Sequence, residues 1–363
     1  MKTIGILTSG GDCAGLNAII RAIVYRAIRG YGWKVLGIKN GGNGLMEEDP
    51  DYIVLDENLC GYGDVLLRLG GTILGTINKG DAFSCSQTAE PSTCKEALFV
   101  KNYKKLNLDA IICIGGDGSL KIMRKVAQKH NLNIVGIPKT IDNDIGCTEN
   151  SVGYLTAVEV ATQALDMLQP TAASHHRLMV LEVMGRDAGH IALSAGISGG
   201  AHIILIPEIN YDINILAKKI NKLHKNGQSF SLVIVAESVK TTSGQQKTLS
   251  DPLTGKKRFG GIGQYIADKL QVLTNAEARV TTLGHLQRGA QPNSRDRLFG
   301  TVFGVHAVDL IAQNKFDTML AWQNRRVISV SLEEAIKNYK SVNPQGTLVK
   351  TARALGICFG DQS

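Results

Sequence analysis

The stretch that most constrains this chain is Leu108–Thr148, LDAIICIGGDGSLKIMRKVAQKHNLNIVGIPKTIDNDIGCT. Asp109–Ile114 is a short run rich in β-branched residues that stops at Gly115-Gly116, which predicts a buried parallel strand ending in a tight turn. The turn opens a helix through Lys129, with Ser119 as its capping side chain. Gly115, Gly116 and Gly118 let the backbone approach a ligand closely, and the unpaired N–H groups at a helix start attract an anion such as phosphate. A second buried strand, Asn133–Ile137, runs into Pro138-Lys139-Thr140-Ile141-Asp142-Asn143-Asp144. A cation, a hydroxyl and two carboxylates therefore leave the sheet at the edge where open α/β sheets bind ligands.

Acids beside an anion cradle call for a positive charge among them. Asp117, projecting from the glycine turn, is placed to hold a Mg2+ that stays largely hydrated and rides on nucleotide phosphates. Asp142 and Asp144, two apart in a segment read as extended, point the same way. One can take a proton from a substrate hydroxyl while the other steadies the metal or the base. GGDG by itself also fits an ordinary turn with solvated acids; its pairing with PKTIDND about twenty residues later favours a phosphoryl-transfer site.

GGDGS followed by PKTIDND resembles the phosphofructokinase family. The resemblance extends to LTSGGDCAGLNAIIR, SHHR, LEVMGRDAG and LGHLQRGAQPNSRDR, in the family's order over most of residues 4 to 304. It implies two Rossmann-like three-layer α/β domains with mostly parallel sheets and the active site in the cleft between them. Residues 1–153 plus about 291–342 would bind nucleotide and Mg2+, 154–290 would bind fructose 6-phosphate, and 343–363 would form a C-terminal tail. The implied reaction is transfer of a phosphoryl group from MgATP to the 1-hydroxyl of fructose 6-phosphate, the committed step of glycolysis.

For the nucleotide, the resemblance implies Gly11, Asn78, Lys79, Asp117, Gly118, Ser119 and Leu120, with Asp117 as the metal ligand. Many ATP-dependent relatives carry arginine where Asn78 stands, which passes the cation contact to Lys79. Asp142 is implied as the base, with Lys139, Thr140 and Arg186 stabilising the transferring group. For the sugar phosphate the implied set is Thr140, Asp142, Arg177, Met184, Gly185, Arg186, Glu237, Arg279, His285 and Arg288. Pattern alone points the same way for part of this set. Strands over Leu178–Val183 and Ser231–Ala236 deliver Met184-Gly185-Arg186 and Glu237 at their carboxyl ends. Structural ion pairing also fits Arg186 and Glu237, and a core histidine fits His285 taken alone. In the family Arg177 and Arg279 reach the substrate from a neighbouring subunit, which implies a homotetramer or homodimer with shared active sites.

The phosphoryl donor rests on Gly118 and Lys139. Pyrophosphate-dependent relatives place aspartate at the position of Gly118 and lysine at that of Lys139; compact ATP-dependent ones have glycine at both. Glycine at 118 leaves room for the nucleotide, and a lysine at 139 suits either donor, so ATP is the expected donor. The alternative is a pyrophosphate-dependent phosphotransferase. A non-catalytic sugar-phosphate-sensing subunit is disfavoured by the intact TIDND. The neighbourhoods that bind effectors in compact bacterial relatives read Gln169, His202 and Asn226-Gly227-Gln228-Ser229, so the resemblance does not carry over to that site.

Composition agrees with this reading. With 363 residues, 44% of them hydrophobic, and no apolar run near eighteen, the chain can bury two cores and no membrane span is expected. Seven cysteines without a CxxC pair predict reduced thiols in a cytoplasmic protein without a signal peptide. The net charge of +8 is spread without a dense block, which favours phosphate substrates over nucleic acid. Lys240–Gly263 reads as a polar surface loop.

Overall fold

The computed structural model describes residues 1–77, 83, 94–250 and 257–362. In chain order it begins β1 (Thr3–Ser9), α1 (Leu16–Tyr25), β2 (Lys34–Ile38), β3 (Tyr52–Leu55) and α2 (Lys95–Lys105). Then come β4 (Ala110–Gly115), α3 (Asp117–His130), β5 (Ile134–Thr140), β6 (Val152–Gly153) and α4 (Tyr154–His175). β7 (Leu178–Val183), α5 (His190–Ser198), β8 (Ile203–Leu205), α6 (Ile213–Lys225) and β9 (Ser231–Ala236) follow. A hairpin, β10 (Thr248–Ser250) and β11 (Lys257–Phe259), precedes α7 (Ile262–Thr274), β12 (Ala278–Thr282) and α8 (Leu286–Gly289). The chain closes with α9 (Ser294–Ala312), β13 (Thr318–Gln323), β14 (Arg326–Ser331), α10 (Leu332–Lys337) and α11 (Thr347–Ala354).

These elements form two compact units. Met1–Ile141, Ile145–Thr156 and Arg288–Tyr339 make the first; Asp142–Asp144, Ala157–Gln287 and the chain from Lys340 onward make the second. The sheet of the first unit runs β14-β13-β5-β4-β1-β2-β3, with β6 beside β5. Its centre is parallel, and only the outer pairs β13/β14 and β2/β3 are antiparallel. Every residue of β4 is buried, as expected of a strand covered on both faces. On one face Leu7, Ile111, Cys113 and Ile134 pack with Phe99 and Tyr103 of α2, Met123 and Val126 of α3, and Leu332 of α10. α1 and α9 pack on each other, and α9 also on β5 and β6. The second unit holds a four-stranded, all-parallel sheet, β12-β7-β9-β8. The α/β class with mostly parallel sheets is therefore as expected. Among the described residues no helix is long and apolar enough to cross a membrane.

Several local expectations need correction. Lys240–Gly263 is not wholly loop: Thr248–Ser250 pairs antiparallel with Lys257–Phe259. The C-terminal residues, which the sequence leaves without structure, include α11 and a bridge from Cys358 to Ile203. Cys13, Cys60, Cys113, Cys147 and Cys358 are free thiols, but Cys94 is disulfide-bonded. A disulfide needs proximity in space and not a CxxC spacing, so the spacing argument had no force there.

The contact of α1 with α9 sets a tight packing limit in the first unit. A Cβ on Gly304 would lie 2.7 Å from the Ile19 carbonyl oxygen and 2.7 Å from the Ala22 methyl. Alanine in a helix is favoured over glycine by roughly 1 kcal/mol, whereas overpacking costs about 1–3 kcal/mol; the neighbours here include backbone, which cannot step aside. Gly304→Ala is expected to lower the urea midpoint at unchanged slope. An unchanged or raised midpoint would show that the two helices separate freely.

Candidate active site

In the first unit the parallel register sets the ends of β1, β4 and β5 side by side: Ser9 faces Gly115, and Gly115 faces Pro138. Whatever follows these strands must therefore converge. A Cβ on Gly10 would lie 3.2 Å from Ser119 Oγ and 3.4 Å from Lys139 Nζ. Gly10 has φ +86°, a conformation that favours glycine. At Gly11 a Cβ would come within 2.3 Å of an Arg288 guanidinium nitrogen. Lys139 donates a short hydrogen bond to the Gly11 carbonyl. The loop leading toward Asn78 lies on the same turn, with Gly10 N–H donating to Ile77 O at 3.1 Å and Thr76 Oγ1 to Gly10 O at 2.7 Å. Asn78 and Lys79 themselves lie outside the described residues.

Lys139 is only 3% exposed. Burial pushes its ammonium below the usual lysine range; the thiol of Cys13 opposes this, the Arg288 guanidinium reinforces it, and Cys113 and Asp12 oppose it. Arg288 Nε is buried with no hydrogen-bond partner, and no carboxylate pairs with that guanidinium among the described residues. Two cations held so close, one short of partners, form a setting that an anion would complete. Beside them α3 begins at Asp117, three residues earlier than a Ser119 cap requires. Its N-cap is Gly116, and no side chain caps it. Asp117 is exposed in the first turn, where the helix dipole favours a carboxylate. Among the described residues a Cβ on Gly118 would meet nothing within 4 Å. Leu120 is 1% exposed in the core, and its N–H is spent on Gly116 O, so it offers a ligand no side chain.

Among the described residues no three His, Cys, Asp or Glu side chains gather as a metal cage. A single exposed carboxylate at Asp117 fits a Mg2+ that takes its other ligands from water and phosphate oxygens. Past Thr140 the chain does not stay extended. Asn143 has φ +53°, so Asp142 and Asp144 do not follow the strand alternation that would align them. Asp142 is half-buried, while Asp144 is 7% exposed and its carbonyl accepts Lys340 N–H at 2.9 Å.

In the second unit three neighbouring strand ends again supply the polar groups. β7 delivers Met184-Gly185-Arg186, and Glu237 follows β9 with its N–H on Val183 O at 2.9 Å. Met184 N–H donates to Gln287 Oε1 at 2.8 Å, and Ser238 Oγ donates to Gly185 O at 2.7 Å. The backbone of this loop is thus fixed while the Arg186 side chain is 72% exposed beside Asp187. His285, just past β12, is also exposed. Arg177 and Arg279 are not brought to this edge. They lie at the amino ends of β7 and β12, about 20 Å away along the strands. There both bind Glu277, Arg177 in bidentate fashion at 3.0 and 3.2 Å. The Arg177 guanidinium holds the Glu277 carboxyl below the ordinary glutamate range.

Three supporting residues leave no signal in the sequence. Gln287, fully buried, fixes Met184. Asp12 lies close enough for its charge to act on Lys139. Asp296, fully buried, accepts from Gly153 N–H, Thr156 N–H and Thr156 Oγ1 at 2.9, 2.7 and 2.6 Å. A carboxylate inside SRDR looks like any solvated acid, so only the spacing to an equally unremarkable Thr156 could have found it.

The phosphofructokinase family model matches residues 3–311. The chain belongs to the phosphofructokinase family. It is 56% identical over 361 residues to ATP-dependent 6-phosphofructokinase 1 of Synechocystis sp., covering 99% of each chain. Among solved structures it is similar to phosphofructokinase from Saccharomyces cerevisiae, with 28% identity, a TM-score of 0.78, and coverage of 93% of this chain but 45% of that one. A pyrophosphate-dependent phosphofructokinase from Nitrosospira multiformis shares the fold, with a TM-score of 0.81 at 21% identity over 99% of this chain and 93% of that one.

The buried ammonium makes a stability prediction. Since the folded chain holds Lys139 below its ordinary value of 10.5, the unfolded chain binds more protons in the window between the two values. Wild-type stability gains from this group as pH rises toward 10.5, and below the window the full cost is present. Lys139→Met removes that cost and is expected to raise stability at neutral pH by about 1–3 kcal/mol, without the rise. Denaturant melts across alkaline pH check this; a destabilised variant would show that the hydrogen bond to Gly11 outweighs the desolvation.

Proposed function

We propose that this phosphofructokinase transfers the γ-phosphoryl group of MgATP to the 1-hydroxyl of fructose 6-phosphate, forming fructose 1,6-bisphosphate. The observation that carries this reading is the 56% identity, end to end, with an ATP-dependent 6-phosphofructokinase. The open space around Gly118 supports the same donor, since an aspartate side chain there would stand where nucleotide phosphates must pass.

In this reading Gly11, Gly118, Ser119 and the segment through Asn78 and Lys79 seat the nucleotide, and Asp117 holds Mg2+. The metal neutralises charge on the phosphate oxygens when bound. Asp142 accepts the hydroxyl proton, and Lys139, Thr140 and Arg186 stabilise the transferring group. Met184, Gly185, Glu237, His285 and Arg288 hold the sugar phosphate. Arg177 and Arg279 serve a second copy of the chain: their place at the opposite strand edge from Glu237 supports a homodimer or homotetramer with shared sites. The site of action is the cytoplasm.

A coupled assay on the purified protein tests the donor: turnover with MgATP and fructose 6-phosphate is expected, and turnover with pyrophosphate alone would reject the reading. Gly118→Asp is expected to keep stability within about 0.5 kcal/mol, since the position is open. The same change should lower kcat/KM for MgATP by roughly tenfold or more. Asp142→Ser should retain fructose 6-phosphate binding and lose roughly 10²–10⁴-fold in kcat. Near wild-type turnover would remove Asp142 from the base role.

A further inference from the structure

A cavity of about 330 Å³ in the second unit lies between α6 and the chain at and beyond α11. None of the positions implied for substrate, nucleotide or the effector neighbourhoods lines it. Its walls carry four cations, Lys218, Lys219, Lys222 and Arg353, and one carboxylate, Asp361. Two of the cations are fixed. Lys219 Nζ donates to Gly356 O at 2.8 Å, and Arg353 grips both Asp361 oxygens at 2.9 and 2.6 Å while lying over the Phe359 ring. The other two are not. Lys218 and Lys222 stand one helical turn apart on the same face of α6, exposed, and neither has a hydrogen-bond or ion-pair partner among the described residues. Like charges at this spacing repel. Below them the floor is apolar: Ile357 is 9% and Phe359 2% exposed.

A row of lysines on the polar face of a surface helix is ordinarily just solvated. Here it borders a concavity whose other wall carries the Arg353–Asp361 pair and whose floor is apolar, at the lower end of the roughly 300–1,000 Å³ typical of small-ligand sites. We propose that this cavity binds a small phosphorylated metabolite. The phosphate bridges the Lys218 and Lys222 amines, and the carbon skeleton rests on Ile357 and Phe359.

Competitive lysine acylation of the full-length protein, read residue by residue by mass spectrometry, tests this without reference to catalysis. The probes are inorganic pyrophosphate and glycerol 3-phosphate, each against sodium chloride of equal ionic strength. Lys218 and Lys222 are expected to react about fivefold or more slowly with a probe, while Lys225 is unchanged. Calorimetry with the same probes should then lose one class of sites in the exposed-surface double variant K218Q/K222Q, with kcat unchanged. Equal protection by chloride, no protection by either probe, or an unaltered isotherm in the variant would overturn the proposal.

Discussion

The site edge of the first unit is organised around an ammonium kept almost out of water. Desolvating a cation costs several kcal/mol, and one charge-assisted hydrogen bond, from Lys139 to the Gly11 carbonyl, returns about 1.5–3. The difference is carried by the surrounding sheet, whose central strands are packed on both faces. In return the ends of β1 and β5 are tied together, and a Cβ on Gly11 would displace the Arg288 guanidinium. Burial is the largest cost to the Lys139 ammonium; Cys13 opposes it, Arg288 adds to it, and Cys113 and Asp12 oppose it more weakly without reversing the net shift. The arrangement is therefore an unfinished one, whose missing component is negative charge.

The second unit divides its sheet into two edges by a different device. At the carboxyl edge the loop backbone is pinned by Gln287 and Ser238, which leaves Arg186 a fixed base and an exposed head beside Asp187. At the amino edge Glu277 gathers Arg177 and Arg279 into a cluster that is itself only half satisfied, two guanidinium groups sharing one carboxylate. An excess cation on an exposed edge costs little in water and is available to an anion that arrives from outside the chain.

Sequence made the strands and their ends legible because runs such as AIICIG and SLVIVA are apolar on both faces and stop at glycine or at a charge. It failed where geometry hung on one residue. Pro138 suggested that β5 stops at Ile137, yet the strand pairs onward to Thr140. Asn143 in the left-handed region broke the alternation assumed for Asp142 and Asp144. Asp296 and Gln287 were invisible because their partners are more than a hundred residues away, and burial of a polar side chain leaves no local pattern. The C-terminal helix was missed for the same reason: α11 is eight residues long, and its packing against α5 is what makes it stable.

Gly118 shows how structure can separate a folding reason from a functional one. Glycine near a helix start costs up to about 1 kcal/mol against alanine, and natural chains keep it where a side chain cannot fit or where φ is positive. Neither holds here: the residue is helical and exposed, and among the described residues no atom lies within 4 Å of where a Cβ would be. At Gly11, by contrast, the Arg288 guanidinium sits in the side-chain space, so any larger residue there would displace that cation. The two glycines of the site therefore answer different constraints. One leaves room for the Arg288 guanidinium, and the other leaves open a volume next to Asp117 that no described residue fills, so the packing of the described residues gives no reason for glycine at 118.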